Sequence, residues 1–292
     1  MTKNTFLGTV IALCGMIVST EVLAADLPVM PRLQATPLSA PPLDDSTGYY
    51  LRGDVGLGIL SIGKLGQADL AANGGTFLSK SIADTTYLGF GAGMKLTNWI
   101  RTDLTAEYRG AVHLGGYDNL TLSNSTGTAK LQANTVYSGH YSSTVALVNV
   151  YGDLGTWNKI TPYAGFGAGL AYNRMTGFTD SSIGSFTNAG VTTTTPTSGY
   201  LGDKGKLSLA WALMAGASYD ISDNAKLDLG YRYINLGSGT AATSGIINCS
   251  CGSIGQPLTV HRLHANELRI GIRWMLDQAP KMVAQAPVIA KY

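Results

Sequence analysis

The side chains with the most chemical reach in this 292-residue chain are four histidines, three cysteines and a sparse set of charges spaced two apart. His113, His140, His261 and His264 suggest haem or metal binding, because neutral imidazole is the commonest protein ligand for such groups. His140 and Ser142 share one side of an extended segment, an arrangement compatible with an esterase. A hydrolase needs a third, carboxylate group to orient the imidazole. Asp153 lies at the far end of that segment and Glu107 several residues away on its neighbour, so no triad forms and no catalytic residue is assigned. Surface imidazoles are the plainer reading of the histidines. The expectation is a non-enzymatic chain without a bound cofactor or metal.

Cys14 falls in an N-terminal leader. Cys249 and Cys251 remain, an even pair with one residue between them, suited either to a small strained disulfide or to two thiols. A Cys-x-Cys metal site lacks a neighbouring histidine or carboxylate to complete a tetrahedral set.

The charges carry more information. Arg52, Asp54, Arg101, Asp103, Glu107, Arg109, Asp228, Arg232, Glu267, Arg269 and Arg273 each alternate with apolar residues along their segments. In the last of these, Leu268, Ile270, Ile272, Trp274 and Leu276 occupy one face and Glu267, Arg269, Gly271 and Arg273 the other, the two-residue period of a strand with unlike faces. The two signs nearly balance, so these residues are expected to pair across a narrow interior.

Composition says where the apolar faces go. Charged residues make up 13% of the chain and glycine numbers 37, too few charges for an ordinary solvated surface. Mean hydropathy is only +0.12, and past the N-terminus no apolar run is long enough for a membrane helix. The net charge of +2 comes without a basic run, which excludes nucleic acid as an expected partner. Lys3, the apolar stretch Phe6 to Ser19 and the small residues around Ala24 and Ala25 read as a cleavable secretory leader, residues 1–24. Residues 25–47, broken by Pro28, Pro31, Pro37, Pro41 and Pro42, read as an irregular periplasmic lead-in.

Strands are predicted at 48–60, 85–96, 99–113, 140–153, 160–173, 206–220, 225–236 and 261–276. Their joins alternate between tight turns (Thr97-Asn98, 155–158 and 222–224) and the long segments 61–84, 114–139, 174–205 and 237–259, read as structureless. Compact soluble domains seldom hold several such loops, whereas outer-membrane barrels alternate short periplasmic turns with long external loops. Lipid also leaves a closed barrel as the only sheet with every backbone group paired. The expected fold is therefore all-β: an eight-stranded antiparallel transmembrane β-barrel over 48–276 with four long extracellular loops, followed by a periplasmic tail, 277–292. The pentapeptide Gly-Phe-Gly-Ala-Gly at 89–93 and 165–169 lacks the spacing of a nucleotide loop and is read as glycines facing a narrow lumen.

Gly48-Tyr-Tyr-Leu-Arg-Gly-Asp-Val-Gly-Leu-Gly, then Val148-Asn-Val-Tyr-Gly-Asp-Leu with Thr161-Pro-Tyr-Ala-Gly-Phe-Gly-Ala-Gly, and finally Glu267-Leu-Arg-Ile-Gly-Ile-Arg-Trp together resemble the opacity-protein-like outer-membrane β-barrel family, in its alphaproteobacterial surface-antigen form. The resemblance covers about 48–276. It implies an abundant envelope or surface-antigen protein of the outer membrane in a Gram-negative cell, without a shared catalytic mechanism. Its partners would be outer-membrane lipid and lipopolysaccharide, the outer-membrane assembly machinery and, through the external loops, host surface molecules. Family barrels usually end on an aromatic residue that closes the last strand; here the chain runs on past Asp277, so Trp274 to Leu276 would serve as an internal assembly signal. A charge-plugged lumen with adhesion through the loops is the expected role, with a small porin or a haem-binding surface protein as alternatives.

Overall fold

The computed structural model describes residues 48–241 and 257–276. The leader, the lead-in, the tail and the pair Cys249/Cys251 lie outside them. The elements are β1 (Gly48–Gly66), α1 (Ala68–Ala72), β2 (Thr76–Ile82), β3 (Thr85–Lys95), β4 (Ile100–Ser123), β5 (Ala129–Asp153), β6 (Ile160–Asn188), β7 (Val191–Leu201), β8 (Lys204–Asp220), β9 (Ala225–Thr240) and β10 (Thr259–Met275). Eight of them close a ring of antiparallel neighbours in the order β1-β3-β4-β5-β6-β8-β9-β10, and β10 returns to β1 with Tyr50 opposite Met275 and Leu57 opposite Leu268. Each strand of the ring has a hydrogen-bonded neighbour on either side, so its backbone groups can be paired without water, which is the condition for crossing lipid.

Turn chemistry fixes the short end of the barrel. Asn158 and Lys159 both take positive φ, 48° and 69°, and Trp157 and Ile160 exchange backbone hydrogen bonds of 2.8 and 2.9 Å around them. Two left-handed central residues define the type I′ turn, whose twist matches that of the flanking strands. Thr97 and Ser222 accept hydrogen bonds from the backbone N–H of Ile100 and Ala225, at 2.9 and 3.1 Å, and hold the other two turns.

The long segments differ from the structureless loops expected. β4 and β5 stay paired to Ser123 opposite Lys130, β6 continues to Asn188 and folds back as β7, and β2 pairs with β4. At 29 residues, β6 is nearly three times the roughly 9–11 residues that a tilted crossing needs. Its outer part, with its neighbours, forms a five-stranded sheet beyond the bilayer in the order β2-β4-β5-β6-β7. The Thr-, Tyr- and Ser-rich sequence there is good strand material once water rather than lipid lies outside. Thr192 to Thr195, read as loop, belong to β7.

On β1 and β10 the faces also exchange polarity part-way up the strand. On β1, Leu51, Val55, Leu57 and Ile59 are exposed while Arg52 and Asp54 are buried; one step higher, Leu60 and Ile62 are buried. On β10 the exposed row Trp274, Ile272, Ile270, Leu268 gives way to Asn266 and His264, and the buried row Arg273, Arg269, Glu267 gives way to Ala265 and Leu263. Ile59 and Asn266 are register partners, so both strands change at one height. A sheet that is apolar outside is bathed in lipid, and one that is apolar inside is bathed in water. The crossover therefore marks the outer edge of the hydrocarbon. Exposed Tyr49, Trp99, Trp157 and Trp274 gather at the turn end and Tyr108, Tyr172 and Tyr231 near the crossover, as two interfacial girdles.

Candidate functional site: the lumenal ion-pair network

All eleven charged residues assigned to the interior are buried. They come from β1, β4, β9 and β10, consecutive around the ring apart from β3, whose inward positions 89, 91 and 93 are glycine. Part of the opposite wall is small: Gly165, Gly167 and Gly169 of β6 and Ala210 and Ala212 of β8 are flanked in their rows by the larger Tyr163 and Met214. Long arginines on one side thus fill the space that small residues leave on the other. At Gly167 an added Cβ would overlap the Asn149 carboxamide, and at Gly271 the Asp54 carboxylate. The repeated Gly-Phe-Gly-Ala-Gly segments place their glycines on this inner face.

Three clusters occupy the lumen from the turn end outward. In the first, Arg273 donates to Asp228 at 3.0 Å and to Ser218 at 2.8 Å, and Ser218 donates to Asp228 at 2.6 Å. Arg101 pairs with Asp153 at 3.0 Å. Its two terminal nitrogens have no hydrogen-bond partner; the guanidinium instead lies against the rings of Tyr151 and Tyr163, 4.0 and 4.8 Å from their centroids, where a cation is attracted by the π face.

In the second cluster, Arg52 grips Asp54 through two hydrogen bonds of 2.8 Å and reaches Asp103 at 2.7 Å and the Tyr151 hydroxyl at 2.9 Å. Asp103 also accepts from Tyr50 at 3.1 Å and from Asn149 at 2.8 Å. Arg269 donates to the Tyr163 hydroxyl at 3.1 Å and stands 3.9 Å from Asp54. The third cluster is a closed square of two carboxylates and two guanidiniums. Arg232 bridges Glu107 and Glu267; Arg109 contacts Glu107 at 3.0 Å and Glu267 at 2.9 Å. The Tyr87 ring lies under both guanidiniums at 5.0 and 4.7 Å. Gly56 on β1 leaves room for that ring, since a Cβ there would overlap it.

Six arginines therefore face six carboxylates: Asp54, Asp103, Glu107, Asp153, Asp228 and Glu267. Sequence reasoning missed Asp153, which restores neutrality, together with Tyr50, Tyr87, Asn149, Tyr151 and Tyr163. Their signal was present, because Tyr50 stands two before Arg52 and Tyr151 two before Asp153, in the inward phase of their strands. Above the square, the interior is apolar: Leu60, Ile62, Leu114, Phe178, Ile234, Leu236, Leu258, Val260 and Leu263 form a buried cluster. Asn173 sits beneath it, accepting from Tyr141 at 2.7 Å and donating to the backbone carbonyls of Leu236 and Ser238 at 2.7 and 2.9 Å.

The histidines do not form one site. His113 and His140 are register partners with ring centroids 6.4 Å apart, and His113 hydrogen-bonds Ser138 at 3.0 Å. His261 and His264 lie on β10, opposite β5 in the ring; His264 stacks on Tyr233 at 5.7 Å. Among the described residues no three His, Cys, Asp or Glu side chains group as a metal would require. His140 and Ser142 point away from the lumen, where no carboxylate completes a triad among the contacts described.

Two carboxylates beyond the bilayer are perturbed. Burial raises Asp118 above the usual aspartate range, against hydrogen bonds from Tyr137 and Thr135 and reinforced by the negative charge of Asp180. Burial also raises Asp180.

Residues 33–250, which include β1 through β9, match the family described as outer membrane protein beta-barrel domain. That is more than half of the chain. The protein belongs to this family. As an outer-membrane β-barrel it resides in the outer membrane with lipid around its apolar belt. An uncharacterized protein of Brucella abortus is 32% identical over 252 residues, covering 79% of this chain and 82% of its own length. Among solved structures, this barrel is similar to the outer membrane protein OprG of Pseudomonas aeruginosa (15% identity, TM-score 0.43, 79% of this chain and 97% of that one). It is also similar to Neisserial surface protein A (16% identity, TM-score 0.35, 78% and 97%).

Proposed function

We propose that this barrel is a non-conducting structural protein of the outer membrane that presents a rigid sheet at the cell surface. The observation that carries this reading is the filled interior: a neutral set of six ion-paired arginines and six carboxylates, capped by an apolar plug. Neither layer offers an ion a continuous path. A charge entering the lower layer must displace a partner from a buried pair, and removing one partner of such a pair is costly; a charge entering the upper layer must pass a packed cluster of apolar side chains, Leu60, Leu114, Leu236 and Leu263 among them, that cannot solvate it. Eight strands give the narrow end of barrel diameters, with barely enough room for side chains.

Surface presentation rests on the five-stranded outer sheet. Its β7 edge strand is paired on one side only, and Leu78, Val136, Ile183, Phe186, Val191 and Tyr200 are exposed on it. Adhesion to host surface molecules is a reading of that sheet rather than of mobile loops. Lipid and the assembly machinery are the other partners, with Trp274 to Leu276 at the end of β10 as the assembly signal and 1–24, 25–47 and 277–292 as leader, lead-in and tail. Ion efflux from proteoliposomes tests closure. Release no faster than from protein-free vesicles is expected, and release that scales with the amount of folded protein would contradict it. Protease treatment of intact cells tests presentation: cuts are expected only within 61–84, 114–139, 174–205 and 237–259.

A further inference from the structure

A recess of about 980 Å³ opens between the upper end of β1, α1 and β2, with Lys64, Lys80 and His261 among its lining residues. We infer that it binds the phosphorylated headgroup of an outer-leaflet glycolipid. Three observations converge on this. The first is charge. Lys64 and His261 are register partners, Lys80 reaches across from β2 to donate to the Gly63 carbonyl, and the Arg262 side chain lies over Gly63, where an added Cβ would meet its Nε at 2.7 Å. All four are exposed. None of the described side chains lining the recess is acidic.

The second observation is backbone geometry. Arg262 has φ of 56°, a left-handed conformation that costs free energy for a long side chain and marks a bulge. The β9–β10 register shifts between Val260 and Leu263. As a result Val260 and Leu263 are both buried, and the two residues between them, His261 and Arg262, are both exposed. A regular strand would have sent one of them inward. The bulge thus keeps the Arg262 charge on the outside at the cost of a strained residue.

The third is height and shape. Lys64 stands five residues beyond Ile59, the last exposed apolar residue of β1 below the polarity crossover. At about 3.3 Å per residue and a tilt near 40° that is roughly 13 Å above the hydrocarbon, past the roughly 5–7 Å of an ordinary headgroup layer and at a height that a large sugar-bearing headgroup reaches. The recess combines this cationic rim with apolar side chains, Leu65, Leu70, Phe77 and Leu78. A free phosphate would use the rim alone, whereas an amphiphilic headgroup uses both. Guanidinium and ammonium groups are the side chains that recognise phosphate, and basic pockets at membrane surfaces bind lipid headgroups. The recess needs only the lipid belt below it and is independent of whether the lumen is closed.

The experiment titrates the full-length folded protein in uncharged detergent with lipid A carrying its phosphates, with the dephosphorylated lipid, and with inorganic phosphate as competitor. Saturable binding of the phosphorylated lipid is expected, at least tenfold tighter than that of the dephosphorylated one, with inorganic phosphate failing to compete at comparable concentration. The double variant Lys64→Gln, Arg262→Asn, in which Asn tolerates the left-handed backbone, is expected to lose the tenfold preference. The exposed pair Lys64→Gln, Lys80→Gln is expected to do the same without touching the bulge. Lys130→Gln at the tip of the β4–β5 hairpin should retain it. Equal binding of the two lipids, an unchanged preference in both double variants, or competition by inorganic phosphate at the lipid's own concentration would each overturn the assignment.

Discussion

Up to the height of the Arg109–Glu107–Arg232–Glu267 square, the lumen is filled by guanidinium and carboxylate groups reaching towards a wall rich in Gly and Ala. Above it the same strands enclose Leu, Ile, Val and Phe. The lower chamber is surrounded by lipid, so its apolar residues are drawn outward and polar ones are left to fill the inside through directional pairs. The upper chamber is surrounded by water and packs as an ordinary soluble core. One period-two pattern serves both because only the assignment of faces is exchanged. What holds each chamber together differs accordingly: partner completeness below, shape and volume above.

The largest break in that comparison is expected at Glu267. Glu267→Ala leaves Arg109 and Arg232 short of a buried counter-charge and should destabilise the folded barrel by about 3–5 kcal/mol, read from urea or heat unfolding in detergent. Replacing Glu107, Glu267, Arg109 and Arg232 together with apolar residues of similar volume should cost far less than the single change, because no orphan charge remains. In the upper chamber, Leu114→Ala removes volume without orphaning a charge and should cost about 2–4 kcal/mol. Its effect should be additive with changes in the lower chamber, where Glu267→Ala and Arg232→Met should be strongly non-additive.

A smaller effect is expected at Gly56. Gly56→Ala crowds the Tyr87 ring beneath both guanidiniums and should cost about 1–3 kcal/mol, whereas Gly110→Ala, with open space around it, should cost less. The smallest is a pH effect confined to the outer sheet. Asp118 and Asp180 have raised pKa values. Their neutral forms are favoured by folding, so the stabilisation is present at low pH and is lost as pH rises above the ordinary aspartate range through the raised values. Hydrogen exchange of 114–139 and 176–201 should therefore quicken between pH 4 and 8 more than that of the membrane strands, and Asp118→Asn should flatten the dependence. An equal pH response in both regions would remove the distinction.

Much of this architecture was legible in the residues. The alternation around Glu267 to Leu276 or Ile100 to Arg109 gives both faces, and alternating short and long joins give a closed ring with an even number of strands. The extensions were not legible as strands, because beyond the bilayer Ser, Thr and Asn crowd the outward face and leave only isolated apolar residues such as Val136 and Ile183 there, the composition of a loop. The crossover at Leu60 and Ile62 was written in the sequence but fell at the point where β1 was expected to stop. Asp153 was visible as a charge, and only the geometry of Arg101 made it a partner. The bulge at Arg262 has no sequence signal at all, since arginine is a poor residue for that conformation.

The account depends most on a lumen closed in both chambers, and single-channel recording of the folded protein in planar bilayers tests this directly. No steady conductance is expected from the native protein. Stable conductance steps that disappear when Arg101 or Arg269 is replaced would show that the charged chamber is a pore lining and would contradict it.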